Sequence, residues 1–314
     1  MRLRTGRSVV VGTLFAAAFW LSLEAVSTAG GFLPESRTHA SAFLGTRTFG
    51  LAAETVPRVP TPRVRAQALI ILDPITGETL WGRNFREPRP IASITKVMTV
   101  LTFLEQAHEL DLSRDVVISR QDTLRASTTY LRSGERVTVR DLLHLALVAS
   151  DNAAARALAR VSGLGTKRFV AEMNRGAADF GLQQTRFVDP SGLHEGNLSS
   201  AYDVSRLILL ASERTEVAEI MRKRSYVIRT SRRTRTIRST NRLLGTGVDV
   251  IAGKTGYIDE AGYCFAALVQ LQDGQPVSIV VLGSRSNAGR FTEARRLVDW
   301  LSTQASVLLT SAAQ

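Results

Sequence analysis

Cysteine is almost missing from this chain. Cys264 is the only one in 314 residues, so no intramolecular disulfide can form and no cysteine-based zinc site is expected. It lies in the apolar run Tyr263-Cys264-Phe265-Ala266-Ala267-Leu268-Val269, where it reads as a small buried residue. Histidine is nearly as scarce. His39, His108, His144 and His194 stand apart without metal-ligand spacing, so neither a metal nor any other cofactor is expected. His144 falls on an apolar segment and reads as a core histidine. Lysine is the third scarcity: only four of the 40 basic side chains are lysine, the rest being arginine. Arginine stays protonated in proteins, whereas a desolvated lysine becomes a base. Two of the four, Lys96 and Lys254, fall in short motifs where that difference matters.

What is present describes a globular protein. Hydrophobic residues make up 44% of the chain and charged residues 22%, with enough length for a sizeable core. The net charge of +12 would favour an anionic polymer, an anionic lipid or nucleic acid. Because arginine is used throughout the chain, no nucleic-acid partner is read from it. The densest stretch, Arg222 to Arg242, reads as a solvated hairpin.

Residues 1–29 look like an export signal or an uncleaved N-terminal anchor. Arg2, Arg4 and Arg7 precede the apolar segment Ser8 to Leu23, and Ser27-Thr28-Ala29 supplies small residues for cleavage. The apolar segment is short for a bilayer span of about 20 residues. Residues 30–65, with Val56-Pro57-Arg58-Val59-Pro60-Thr61-Pro62, read as a disordered linker. The folded domain is expected over 66–304, leaving 305–314 as a tail. A hairpin is predicted from Ala68–Leu72, the turn Asp73–Gly77 and Glu78–Gly82. Helices are predicted from Ser93, after the Thr138 cap, after Asn152, over Thr166–Phe180, over Ala201–Ser212 and over Thr215–Met221. Strands return at Tyr226–Ile228, Thr236–Ile237, Val250–Tyr257, Gly262–Gln270 and Val277–Leu282, and an amphipathic helix from Arg290 to Leu301 closes the domain. This layout is a mixed α/β (α+β) fold, with an antiparallel sheet built from both chain ends and packed against a helical cluster.

Three short motifs carry the chemistry. In Pro90-Ile91-Ala92-Ser93-Ile94-Thr95-Lys96, Ser93 and Lys96 lie three residues apart at a helix start, so their side chains meet on one face. A hydroxyl beside an amine packed against the apolar positions Val97, Val100, Leu101 and Leu104 is a way to build an activated nucleophile. Ser150-Asp151-Asn152 breaks between two helices, and Lys254-Thr255-Gly256 sits on a strand. Each alone has a plain structural reading as a cap or a strand end. Together and in this order they are the signature of serine β-lactamases and penicillin-binding proteins.

Over roughly residues 66 to 304 the chain resembles the low-molecular-mass penicillin-binding proteins, the D-alanyl-D-alanine carboxypeptidase and endopeptidase family. The likeness includes Thr185-Arg186-Phe187-Val188-Asp189-Pro190-Ser191-Gly192-Leu193, Ser239-Thr240-Asn241-Arg242-Leu243-Leu244, and Gly253 to Tyr257 with Ala261-Gly262-Tyr263-Cys264. The resemblance implies a β-lactamase/transpeptidase-like fold and a penicillin-sensitive serine acyl transfer on peptidoglycan stem peptides. Ser93 would be the acyl-ester nucleophile, Lys96 its general base and Ser150 a proton relay. Asn152, Lys254 and Thr255 would bind substrate. Gly256 would keep the strand edge open, and the Ser93 and Tyr257 amides would form the oxyanion hole.

The expected activity is D-Ala-D-Ala carboxypeptidase, with cleavage of peptide cross-links by the same site as the alternative. Pentapeptides, cross-linked muropeptides and β-lactams are the expected partners. The expected location is the periplasm or the outer face of the cytoplasmic membrane, with peripheral or N-terminal membrane association as an option. A β-lactamase needs a carboxylate to activate the deacylating water, and Glu195-Gly196-Asn197 lacks the Glu-x-x-Leu-Asn pattern of those enzymes. A non-enzymatic penicillin sensor is the remaining alternative.

Overall fold

The computed structural model describes residues 61–106 and 111–312, with side chains described to residue 303. The expected export signal and all but the last residues of the expected linker lie outside the described residues. Val64 is already buried, and the Arg65 amide donates to Glu293 Oε1 at 2.6 Å, so tertiary contacts begin ahead of residue 66.

Strands β1 (Ala68–Leu72) and β2 (Thr79–Arg83) form the opening hairpin, and in its turn Asp73 Oδ1 accepts the Ile75 and Thr76 amides. A short strand β3 (Arg89–Pro90) leads into a 3₁₀ turn at Ala92–Ile94 and then α1 (Thr95–Gln106). The middle of the chain holds β4 (Asp115–Val117), α2 (Arg120–Thr123), β5 (Arg136–Thr138), α3 (Val139–Leu147), α4 (Asn152–Val161) and α5 (Gly165–Asp179). It continues with β6 (Leu198–Ser199), α6 (Ala201–Glu213) and α7 (Thr215–Met221). The C-terminal part is β7 (Ser225–Arg229), β8 (Thr234–Arg238), β9 (Asp249–Ile258), β10 (Gly262–Gln270), β11 (Pro276–Ser284) and α8 (Asn287–Ala312).

The main sheet has the order β2-β1-β11-β10-β9 and is antiparallel throughout, so the two ends of the domain meet where Ala68 pairs with Leu282. This is the expected mixed α/β architecture. Both sheet faces are covered, which is why β1 reads as an unbroken apolar run instead of alternating. Ala68, Ile70 and Leu72 face the helical cluster with Cys264, Ala266 and Leu268, while Leu69 and Ile71 join Phe265, Ala267, Phe291 and Leu297 under α8. Each fully buried Ile or Leu contributes about 2 kcal/mol.

Three elements differ from their sequence reading. Ser93 lies in the 3₁₀ turn and not in the α-helix itself, and α1 is buried from Thr95 through Phe103 instead of along one stripe. The helix is central, so even its polar positions are enclosed. Strands β7 and β8 pair only with each other as a separate two-stranded ribbon and do not extend the main sheet. Helix α8 runs past Leu301 and through residue 304 to Ala312. His144 is buried as expected but only half satisfied. Its Nδ1–H donates to the Arg140 carbonyl at 2.8 Å, its ring stacks on Tyr226 at 3.6 Å, and its Nε2 has no partner.

Candidate active site

Lys96 stands at the centre of the site and is fully buried. Its Nζ lies 2.7 Å from Ser93 Oγ, 2.6 Å from Asn152 Oδ1 and 2.5 Å from the Ser191 carbonyl. Two of these partners are obligate acceptors. The Asn152 amide is oriented by its own Nδ2, which donates to the Ala126 carbonyl at 2.8 Å and to Ser127 Oγ at 3.2 Å, so Oδ1 must face the lysine. A neutral amine meets this set fully: two N–H groups donate to Asn152 and Ser191, and the lone pair accepts the Ser93 hydroxyl. Burial pushes the amine down from its ordinary value to about 7, against the pull of the Asp189 and Asp151 carboxylates and with help from Arg156. Ser93 keeps some exposure, so its hydroxyl is reachable while the Lys96 amine is not.

The second wall is the break between α3 and α4. Asp151 caps α4, with Oδ1 accepting the Ala154 amide at 2.9 Å and Oδ2 accepting the Tyr130 amide. This turns Ser150 and Asn152 toward the cleft on either side of a buried carboxylate. Ser150 adopts a left-handed conformation, φ 60°, which costs a non-glycine residue about 1 kcal/mol and is held by its surroundings. Its Oγ accepts from Lys254 Nζ at 2.8 Å. Thus each lysine meets one side chain of the same three-residue break: Lys96 takes Asn152, and Lys254 takes Ser150. Burial, followed by the neighbouring Lys96 and Arg290 groups, holds Lys254 well below the ordinary lysine value.

The third wall is β9, an edge strand of the main sheet. Lys254 and Thr255 are buried on it, and Thr255 Oγ1 shares a 2.6 Å hydrogen bond with Thr240 Oγ1. Gly256 also has a packing reason to lack a side chain. A Cβ there would come within 2.6 Å of the Ile91 carbonyl oxygen and 3.2 Å of the Ser93 nitrogen. Gly192, at φ +78°, likewise packs a bare α-carbon against the Ala92 carbonyl. Both glycines pack closely against the 3₁₀ turn, and Ala92 within it is itself left-handed at φ 48°. This packing brings the Ser93 amide against β9 one residue before Tyr257. The Tyr257 side chain is solvent-exposed, stacking on Tyr263 at 4.2 Å and donating its hydroxyl to Asp259 at 2.6 Å.

Several residues of the site carry no signal in the three motifs. Asp189 accepts the Ser191, Gly192 and His194 amides, the Ser191 hydroxyl and Asn197 Nδ2, which shapes the loop that offers the Ser191 carbonyl to Lys96. Burial opposes its ionisation, but these donors outweigh it and hold the carboxyl below its ordinary value. Arg290, on α8, is buried behind β9 and donates to the Gly256 carbonyl at 2.9 Å and the Cys264 carbonyl at 3.2 Å. Thr240 supplies the partner of Thr255. Asp189 and Thr240 lie in stretches quoted above for the family resemblance, which is the signal that finds them. Arg290 has none. Glu195 is exposed on the 189–197 loop.

Known proteins resemble this chain in sequence and in fold. A profile of the D-alanyl-D-alanine carboxypeptidase family matches residues 54–286. The D-alanyl-D-alanine endopeptidase of Pseudomonas aeruginosa is 31% identical over 270 residues, which covers 84% of this chain and 87% of the relative. Among solved structures, the D-alanyl-D-alanine carboxypeptidase of Mycobacterium tuberculosis H37Rv superposes with a TM-score of 0.72 at 31% identity, covering 79% of this chain and 94% of that one. The cefotaxime-bound form of penicillin-binding protein D2 of Listeria monocytogenes gives a TM-score of 0.69 at 31% identity, covering 77% and 99%. With the family profile spanning most of the described domain, and relatives of this identity matched nearly end to end, the chain belongs to the D-alanyl-D-alanine carboxypeptidase family of serine peptidases.

Proposed function

We propose that the protein is a penicillin-sensitive D-Ala-D-Ala carboxypeptidase of peptidoglycan stem peptides that works through an acyl-enzyme on Ser93. The observation that carries this reading is the buried Lys96 amine 2.7 Å from Ser93 Oγ, with carbonyl acceptors for its two N–H groups. Lys96 takes the Ser93 proton as Oγ attacks the carbonyl of the penultimate D-alanine. The Ser93 and Tyr257 amides stabilise the resulting oxyanion. Ser150 passes a proton to the leaving amine, the C–N bond breaks, and the terminal D-alanine departs. Water then attacks the ester, and the proton returns to Ser93. Asn152 keeps Lys96 in place and offers its remaining Oδ1 lone pair to the substrate amide. The substrate lies along the β9 edge as an added strand. Its terminal carboxylate meets Thr255 and Lys254, and the arriving negative charge restores the ammonium form that burial disfavours in the free enzyme.

Cleavage of cross-links by the same site is the second reading, favoured by the near full-length match to the P. aeruginosa endopeptidase. The chemistry is unchanged, the leaving amine then belonging to a neighbouring stem. Digestion of purified pentapeptide and cross-linked muropeptides separates the two by D-alanine release against cross-link cleavage. Loss of both products in the wild-type enzyme overturns the proposal. Benzylpenicillin should acylate Ser93 and remain attached for minutes, whereas rapid turnover of the drug points to a β-lactamase. An exported location follows from this substrate. No helix among the described residues is long and apolar enough to cross a membrane.

A further inference from the structure

Between Arg222 and Arg238 the chain carries seven arginines and Lys223 with no acidic residue. The β7–β8 ribbon built from this stretch presents Ser225, Val227, Arg229, Thr234, Thr236 and Arg238 on one solvent-facing side, all exposed. Its other side is anchored by the buried Ile228 and Ile237. Arg232 is exposed at the tip. Arg235 is exposed too, its guanidinium 5.9 Å above the Tyr130 ring. Carboxylates near the ribbon are few and already engaged. Glu135 pairs with Arg233 at 3.4 Å, Asp141 Oδ2 accepts the Arg229 amide, and Asp249 stands 4.0 Å from Arg222. Among the described residues, the guanidinium groups of Arg229, Arg232 and Arg238 form no salt bridge.

The ribbon is tied to two walls of the active site. At its tip Arg233 Nη2 donates to the carbonyl of Tyr130, the residue whose amide binds Asp151. At its end β8 runs into Thr240, which bonds Thr255. We infer that this ribbon is a docking surface for the carboxylates and hydroxyls of the peptidoglycan polymer outside the reacting stem. The inference rests on the substrate class proposed above. Guanidinium groups interleaved with threonine and serine hydroxyls suit a carboxylate-bearing glycopeptide. Val227 is the one apolar side chain on that face, too little to enter a bilayer. Exposed charges at this spacing raise the local concentration of an oppositely charged polymer, and salt screens them.

The test compares polymeric and soluble substrates. For wild-type enzyme on purified sacculi, apparent KM should rise several-fold between low salt and about 0.5 M NaCl, as screening shortens the Debye length. Release of D-alanine from soluble pentapeptide and acylation by benzylpenicillin should not change. The triple variant Arg229→Glu, Arg232→Glu, Arg238→Glu should raise KM on sacculi about tenfold at low salt and abolish most of the salt dependence. Its kcat, pentapeptide turnover and acylation rate should stay at wild-type levels, which also reports folding. The charge-preserving Arg→Lys triple variant should behave as wild type, and a charge-matched control with glutamate at Arg168, Arg285 and Arg295 should leave KM unchanged. Equal loss in that control, or an unaltered KM in the ribbon variant, overturns the inference. Co-sedimentation of Ser93→Ala protein with sacculi reads docking without catalysis, so it distinguishes failure of this surface from failure of the proposed activity. Salt-sensitive binding to anionic phospholipid vesicles in preference to sacculi would overturn the choice of partner.

Discussion

If Lys96 is the base, the acylation rate must follow its neutral fraction. The amine sits at about 7 where an unburied lysine titrates near 10.5, a difference of about 5 kcal/mol in favour of the neutral form. The neutral fraction is then roughly half at pH 7, roughly a tenth at pH 6 and roughly a hundredth at pH 5. The second-order rate constant for acylation by a fluorescent penicillin, measured by stopped flow from pH 5 to 9, should climb with unit slope and level off above pH 7. The sign follows from the deprotonated lysine being the active form. Asp189 and Asp151 both favour the ammonium. Asp189→Asn should therefore move the acid limb to lower pH, even as the amide's poorer match to five donors lowers the plateau. A rate that is flat between pH 5 and 8, or that rises only above pH 9, would refute the assignment of Lys96 as base.

The same depressed value has a consequence for stability. From about pH 7 to 10.5 the unfolded chain binds a proton at Lys96 that the folded chain does not, so stability rises with pH across that window by up to about 5 kcal/mol from this group. The slope seen in urea unfolding should be shallower in Lys96→Met than in the wild type, the remainder coming from Lys254, which burial also holds low. Lys96→Arg should fold but acylate about a thousandfold more slowly, since a guanidinium cannot accept the Ser93 proton. Gly192→Ala should cost about 2 kcal/mol or more, because its left-handed φ of +78° and the Ala92 carbonyl both exclude a Cβ, and thermal unfolding should move down by roughly 5 °C. Arg290→Ala strips the Gly256 and Cys264 carbonyls of a buried donor and should cost roughly 2 to 4 kcal/mol in denaturant titration, with slower acylation by penicillin.

Much of the fold was legible because its signals are local. The Asp73–Gly77 turn, the Thr138 and Asp151 caps and the apolar runs of β1, β10 and β11 each follow from residues within a few positions of one another. The Ser93–Lys96 spacing, the Ser150–Asn152 break and the Lys254–Gly256 strand were legible for the same reason, and their residue types announce a hydroxyl, an amine and a carboxylate site. Less legible were the features that depend on what packs alongside. The short ribbon β7–β8 has strand periodicity, but nothing in it says that it stays apart from the main sheet.

By itself, then, the sequence determined which side chains were available for acyl transfer and in what order along the chain, because chemistry and short-range geometry reside in residue type and spacing. The tertiary structure decided how they act. The Lys96 amine falls to about 7 only because α1 is enclosed on every side, and burial is a sum over neighbours that are distant in sequence. Asp189 holds the carbonyl that faces Lys96, Gly192 and Gly256 seat the turn that carries Ser93, and Arg290 secures the Gly256 carbonyl from α8. The contacts of Lys96 with Ser191, of Gly192 with Ala92, of Gly256 with Ile91 and of Arg290 with Gly256 each join segments far apart in the sequence, so no local spacing encodes them.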